Sequence, residues 1–186
     1  MTDGKTPPSS LVVLGFDDQF AAQEMLTALT RMSAEGTLLL QDAVFVSKTD
    51  KGKVRVVQTT DPSPGQAALS GAFWGLLFGV LLFIPVVGMA IGAGTAALMA
   101  KLIDTGISDD FVKQLRESIK PGKVYLAALV SHVNPEKALE EMRRYAGMAE
   151  VITANLPPDS LAKLEEALGQ HPVTEGVPEE ESTIEA

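Results

Sequence analysis

Apolar and polar residues recur with two different periods along the chain, and this predicts a mixture of strands and helices. Leu11 to Phe16 form a short apolar run with the length of a buried strand. After Asp17 and Asp18, which can cap a helix, apolar residues recur at helical spacing until Gly36, a typical helix terminator. The apolar stripe of this predicted helix consists of Ala22, Met25, Leu26, Leu29 and Met32.

The rest of the polar sequence continues this mixed pattern. Segments 43–47 and 54–60 are rich in β-forming residues and flank a turn-like sequence, so they predict a β-hairpin. A helix is predicted from about 108 to 119, because Pro121 and Gly122 follow it, and a strand over 124–132. Asn134 and Pro135 are typical of a helix start, and the helix they begin is expected to reach about 145. A strand over 150–155 and a last helix capped by Asp159 or Ser160 complete the prediction.

This order of elements predicts an α+β fold. We expect a ferredoxin-like split β-α-β core, an inserted apolar Gly-rich helical hairpin and an added C-terminal α-β-α extension. The predicted division is a disordered N-terminus (1–10), a cytoplasmic ferredoxin-like domain (11–61 and 104–169), a transmembrane hairpin (65–103) and a disordered acidic tail (170–186).

The most informative stretch is the segment 62–100, which contains no charged residue. Pro85 divides it, and the first half, residues 67–84, would span roughly 27 Å as a helix, close to the roughly 30 Å of a bilayer core. Small residues recur every fourth position, a spacing that lets helices pack closely in membranes. The candidate helix-packing residues are Gly71, Gly75 and Gly79 in the first half and Gly88, Gly92 and Ala96 in the second. We therefore expect a hairpin that inserts into a membrane and drives self-association.

Two alternatives remain open for this segment. The chain can be a soluble homo-oligomer that buries the hairpins in a shared core, or a small pore or transport protein with glycine faces along the channel. The lack of charge in 62–100 counts against a selective ion path. Trp74 falls near the middle of the first half, away from the interfacial aromatic belt, so a membrane hairpin would place it against lipid or another subunit.

Flanking charges predict the orientation of the hairpin. Basic residues at 48, 51, 53 and 55 precede it and others at 101, 113 and 116 follow it, whereas its tip has none. The positive-inside rule then places both flanks, and both termini, in the cytoplasm at the bacterial inner membrane. The N-terminus lacks the basic and apolar regions of a secretory signal peptide.

Composition narrows the possible chemistry. The chain of 186 residues has no cysteine and two histidines, which excludes a disulfide scaffold and a thiolate metal site. Its net charge is -9, and acidic residues between 175 and 185 supply much of it, so a basic nucleic-acid-binding face is not expected. The pairs Asp17–Asp18 and Asp109–Asp110 are interpreted as helix caps and His132 as a structural residue. We expect no enzyme activity, no catalytic, cofactor-binding or metal-binding residues, and no cofactor. The expected partners are membrane lipid and further copies of the chain. Any small-molecule ligand is unknown.

Four stretches resemble a known family. They are LVVLGFDDQFAAQEMLTAL, DAVFVSKTDKGKVRVVQTTD, GQAALSGAFWGLLFGVLLFIPVVGMAIGAGTAAL and DTGISDDFVKQLRESIKPG. Together they are similar to an uncharacterised bacterial family described as membrane proteins, number twelve sixty-nine in the series of domains of unknown function. The resemblance covers roughly residues 10–168. It implies a bacterial source and membrane association, and it implies no activity, substrate or catalytic residue.

Overall fold

The computed structural model describes residues 9–51, 54–59, 74, 77, 107 and 109–170. Within these residues the chain forms five strands and four α-helices. The strands are β1 (Ser10–Phe16), β2 (Leu39–Lys48), β3 (Val54–Gln58), β4 (Val124–Ser131) and β5 (Glu150–Ala154). The helices are α1 (Gln19–Ala34), α2 (Asp109–Ser118), α3 (Pro135–Met142) and α4 (Pro158–Ala167), and a 3₁₀ turn, Arg143–Tyr145, extends α3.

The five strands form one antiparallel sheet in the order β3-β2-β4-β1-β5. The central strand β4 and its neighbour β1 are buried on both faces of the sheet. Their nearly continuous apolar sequences, LVVLGF and VYLAALV, are what two-sided burial requires.

Each face of the sheet carries its own apolar layer. On one face, α1, α3 and α4 cover the side chains of Leu14, Phe16, Leu126 and Ala128. On the other face, the side chains of Leu11, Val13, Val44, Val46 and Tyr125 pack against α2, Ile107, Trp74 and Leu77. The alternation of side chains along each strand produces this division.

Several local predictions are confirmed. Asp18 caps α1 by accepting a hydrogen bond from the Ala21 backbone N–H at 2.9 Å. Gly36 follows α1 with φ +71°, a conformation that glycine adopts without steric strain. Asn134 caps α3 through the Lys137 N–H, and Pro135 takes the first helical position. The predicted cap of α4 is wrong, because the helix begins at Pro158 after Pro157, and Asp159 lies inside its first turn.

Strand β2 begins four residues earlier than predicted. The polar pair Gln41–Asp42 interrupts the alternating pattern, which made Ala43 look like the start of the strand. The pairing of β2 with β4 shifts register between Leu40 and Asp42, so a β-bulge accommodates the interruption and the strand continues on both sides.

The mixed α+β class predicted from the sequence is confirmed. The predicted hairpin, apart from Trp74 and Leu77, lies outside the described residues, and so do most of the predicted disordered N-terminus and nearly all of the acidic tail. No helix within the described ranges is both long enough and apolar enough to cross a membrane.

Candidate functional site

The uncharged segment contacts the α+β domain on the sheet face that α2 covers. Trp74 and Leu77, both in helical conformation, are only 3% and 0% exposed. They share one apolar cluster with Ile107, which is 2% exposed, and with Phe111 and Leu115 of α2. The uncharged segment therefore packs on its own domain at these two positions, which is neither the lipid-facing nor the intersubunit position that the sequence left open for Trp74.

Trp74 also makes a directed polar contact with the sheet. Its indole Nε1–H donates to Asp42 Oδ2 at 2.6 Å. The bulge in β2 precedes Asp42, whose side chain lies on the same face as Val44 and Val46. A carboxylate acceptor makes this hydrogen bond stronger than a neutral one, and it satisfies an N–H that burial would otherwise leave unpaired. Asp42 thus fixes where the indole lies on the sheet.

A second polar contact holds α2 on the same face. The hydroxyl of Tyr125, a fully buried residue of β4, donates to the Ser118 carbonyl at 3.0 Å and accepts from the Lys120 N–H at 2.7 Å. These backbone groups lie at the C-terminal end of α2, where carbonyls lack helical partners. Lys48 Nζ donates to the next carbonyl, that of Ile119, at 3.3 Å. The two side chains together fasten the end of α2 to the sheet.

The small residues predicted to pack helices all lie outside the described residues. They are Gly71, Gly75, Gly79, Gly88, Gly92 and Ala96. The structure instead describes Trp74 and Leu77 between them. Sequence reasoning singled out Trp74 as an anomaly but missed Asp42 as its partner.

The remaining candidate residues have local roles. Asp17 forms an ion pair with Lys123 at 3.1 Å, and Lys123 also contacts Glu150 at 3.6 Å. The hydrogen bond to Asp17 raises the pKa of Lys123 above its ordinary value; burial opposes this shift, and the charges of Asp17 and Glu150 reinforce it.

Asp110 is exposed at the start of α2. Among the described residues, no three His, Cys, Asp or Glu side chains come together as metal ligands would.

The opposite sheet face contains a feature that the sequence did not predict. An apolar cleft of about 400 Å³ lies between the sheet and helices α1, α3 and α4. Its walls include Leu29 and Met32 of α1, Leu139 of α3 and Leu164 of α4. His132, with φ +50°, and Lys163 are exposed residues of its lining and therefore lie at its rim. Four segments distant in sequence build this cleft, so no local motif signals it.

Comparison with known proteins gives one match. No curated protein and no solved structure matches the chain. A family model described as "Protein of unknown function (DUF1269)" matches residues 68–169, which run from the uncharged segment through α4. The matched part includes Trp74, α2 and the central strand β4, and it excludes β1, α1, β2 and β3, to which the sequence resemblance also extended. More than half of the chain is matched, and the protein therefore belongs to this family of unknown function.

Proposed function

We propose that this protein is a membrane-associated, non-catalytic scaffold or regulatory protein whose α+β domain holds a re-entrant apolar segment against one leaflet. The observation that carries the proposal is the shared burial of Trp74, Leu77 and Ile107 in one cluster on one sheet face. Leu77 and Ile107, the described residues on either side of segment 78–106, therefore both lie on this face.

Chain length then limits how deep the segment between these two anchors reaches. Residues 78–106 number 29, so a hairpin built from them has arms of at most about 14 residues. As helices these arms reach roughly 21 Å, and two full crossings of a bilayer core of roughly 30 Å need about 20 residues each. Extended arms would be longer, but they would leave backbone N–H and C=O groups unpaired in lipid. A re-entrant loop fits this limit, and a spanning hairpin does not.

The charge pattern matches insertion into a single leaflet. Residues 78–100 are uncharged, and Lys101 and Asp104 follow before Ile107. Two helical arms drawn from the uncharged part reach roughly 17 Å each, close to half of the roughly 30 Å bilayer core. A tip between Pro85 and Met89, the midpoint of this part, would then lie near the bilayer midplane. The basic flanks support a cytoplasmic domain at the inner membrane with both termini on that side.

Helix geometry supports the use of the glycine stripe for self-association. If the helical conformation of Trp74 and Leu77 extends along the first half, Gly75 lies about 130° around the helix from the face that these two residues bury. Gly71 and Gly79 lie one turn away on the same stripe. On such a helix this stripe would face away from the sheet, where its small residues would allow close backbone contact with a second helix.

We further propose a ferredoxin-like core that differs in its elements from the one predicted from the sequence. The order β2-β4-β1-β5, with α1 between β1 and β2 and α3 between β4 and β5, supports a split β-α-β arrangement. In this arrangement β3, the uncharged segment and α2 form one insertion between β2 and β4. The segment α3-β5 then belongs to the core, where the sequence predicted an added extension.

A second candidate is a soluble homo-oligomer in which the remaining apolar residues pack between subunits. The burial of Trp74 and Leu77 within their own chain favours it, because part of the uncharged segment already serves as protein core. Lipid binding distinguishes the two candidates.

Flotation of the purified full chain with phosphatidylethanolamine–phosphatidylglycerol vesicles tests the proposal. We expect the wild type to float with the vesicles and Val86→Glu to remain at the bottom, since a charge at the tip would have to enter hydrocarbon. Val57→Glu, at a half-exposed position on the edge strand β3, is the matched control and should float like the wild type. A wild-type chain that stays with the soluble protein, or a Val86→Glu variant that floats equally, would refute membrane insertion.

A further inference from the structure

The cleft under α3 and α4 is apolar and open to solvent. Its volume of about 400 Å³ lies in the size range of small-molecule sites. Val12 of β1, Leu139 of α3 and Leu164 of α4 line it, and each stays partly exposed. A bound apolar molecule would bury the exposed surface of these side chains.

The charge of the cleft is opposite to that of the chain. The protein carries 24 acidic residues and a net charge of -9, yet none of the residues lining the cleft is acidic. The polar lining consists of Ser10, Ser131, His132, Ser160 and Lys163. Among the described residues, Lys163 forms no ion pair within 4 Å, although Asp159 and Glu166 lie about one turn away on the same helix. Lys163 therefore offers one cationic group at the rim for an anion, partly offset by these two carboxylates, and the interior favours a hydrocarbon.

The rim also contains an unusual backbone conformation. His132 is the only residue other than glycine with positive φ in the described part of the chain. Its Nδ1 lies 3.1 Å from the buried Ser131 Oγ, which in turn accepts from Gln41 Nε2 at 2.9 Å. Such conformations cost free energy and persist where surrounding contacts hold them, and the contact with Ser131 places the imidazole at the end of β4 beside the opening.

We propose that this cleft binds a single-chain fatty acid, with its hydrocarbon tail between the sheet and helices α3 and α4 and its carboxylate at the rim beside Lys163 and His132. An unbranched chain fits a cleft whose walls are aliphatic side chains from five elements. The carboxylate supplies the negative charge that the lining lacks. The site lies on the sheet face opposite Trp74, so it is independent of how the uncharged segment meets a membrane.

The test is photo-crosslinking of the full chain with a decanoic acid that carries a terminal diazirine, followed by peptide mapping. We expect the label on residues 135–142 and 156–164, and we expect excess unlabelled decanoate to compete it away. Ser160→Phe, at an exposed rim position that does not contribute to the core, should reduce labelling to background while leaving thermal unfolding unchanged. Ala138→Phe fills the cleft from α3 and is the second blocking variant.

Charge recognition is tested with Lys163→Gln, and Lys113→Gln on α2 is the matched control. Lys163→Gln should weaken decanoate competition by about fivefold, the scale of one exposed ion pair, and leave competition by decanol unchanged. Labelling confined to residues 62–106 would identify simple partition into the apolar segment and overturn the proposal. Equal labelling of wild type and both blocking variants, or a crosslink to a second copy of the chain, would overturn it as well.

Discussion

The indole Nε1 of Trp74 donates a hydrogen bond to Asp42 Oδ2 across 2.6 Å, joining the uncharged segment to strand β2. The two residues are 32 positions apart, and a β-bulge immediately before Asp42 accompanies the contact. This contact, together with the burial of Leu77 and Ile107, places the two residues that flank segment 78–106 on one sheet face. In the proposed function, the length of that segment limits how far it would reach into a membrane.

Removal of the Asp42 carboxylate should destabilise the domain and release the indole. Asp42→Ala leaves a buried N–H without this acceptor, so we expect the free energy of unfolding to fall by about 1–3 kcal/mol. Trp74 is the single tryptophan, so its emission should shift to the red and acrylamide quenching should increase. Asp42→Asn keeps an amide oxygen and should show a smaller change. Asp50→Ala, in an exposed turn, is the control, and equal stability of the two alanine variants would contradict the role of Asp42.

Loss of the Tyr125 hydroxyl should loosen the end of α2. Tyr125→Phe deprives the Ser118 carbonyl and the Lys120 N–H of their shared partner, so the free energy of unfolding should fall by about 1–3 kcal/mol. Hydrogen exchange at residues 115–120 should accelerate. Exchange in β1 should not, when variant and wild type are compared under conditions that give them the same free energy of unfolding. Tyr145→Phe removes a hydroxyl from a half-buried residue elsewhere and serves as the comparison. Unchanged exchange at the end of α2 in Tyr125→Phe would argue against this tether.

The ion pairs of Lys123 should make a small contribution to stability that depends on pH. Because contact with Asp17 raises the pKa of Lys123 in the folded state, this contribution is fully present below the unfolded-state pKa and is lost as pH rises through the folded-state pKa. We expect Lys123→Gln to lower the free energy of unfolding at pH 8 by at most about 0.5 kcal/mol, since solvent screens a partly exposed pair. In urea titrations the difference from wild type should shrink as the pH rises beyond 10.5, the ordinary pKa of a lysine. A difference that grows with pH would contradict the sign of this linkage, and Lys113→Gln controls for general charge effects.

The glycine stripe of the second half should determine self-association. Gly92→Leu enlarges the stripe that includes Gly88 and Ala96, whereas Gly94→Leu adds the same volume about 200° away on a helix. We expect Gly92→Leu to reduce the oligomer mass measured by light scattering in mild detergent, and Gly94→Leu to leave it unchanged. Equal masses for both variants and the wild type would show that the stripe does not mediate association.

Local sequence predicted the fold class and most elements because their signals are local. The apolar run of β1, the cap at Asp18 and the glycine after α1 each depend on residues within a few positions of one another. The contact of Trp74 with Asp42 was not predictable from the sequence. The bulge before Asp42 interrupts the alternation of apolar and polar residues, so the sequence does not show that Asp42 belongs to a strand, and Trp74 lies 32 positions away from it. The strand order and the apolar cleft depend on contacts between segments that are distant in sequence. The periodicity of apolar residues along the chain does not reveal such contacts. Length, lack of charge and the regular spacing of small residues made 67–84 resemble a membrane span, although Trp74 and Leu77 within it are domain core.

Cysteine labelling at the tip of the uncharged segment tests the central claim most directly. The chain has no native cysteine, so Val86→Cys provides a single site in intact cells whose outer membrane has been made permeable. We predict that the protein sediments with membranes and that an impermeant maleimide leaves Val86→Cys unlabelled from the periplasmic side. After lysis, the reagent should label Glu35→Cys, in the exposed turn after α1, and should still leave Val86→Cys unlabelled until detergent is added. Labelling of Val86→Cys from the periplasm, or recovery of the protein in the soluble fraction without detergent, would contradict a re-entrant segment in one leaflet.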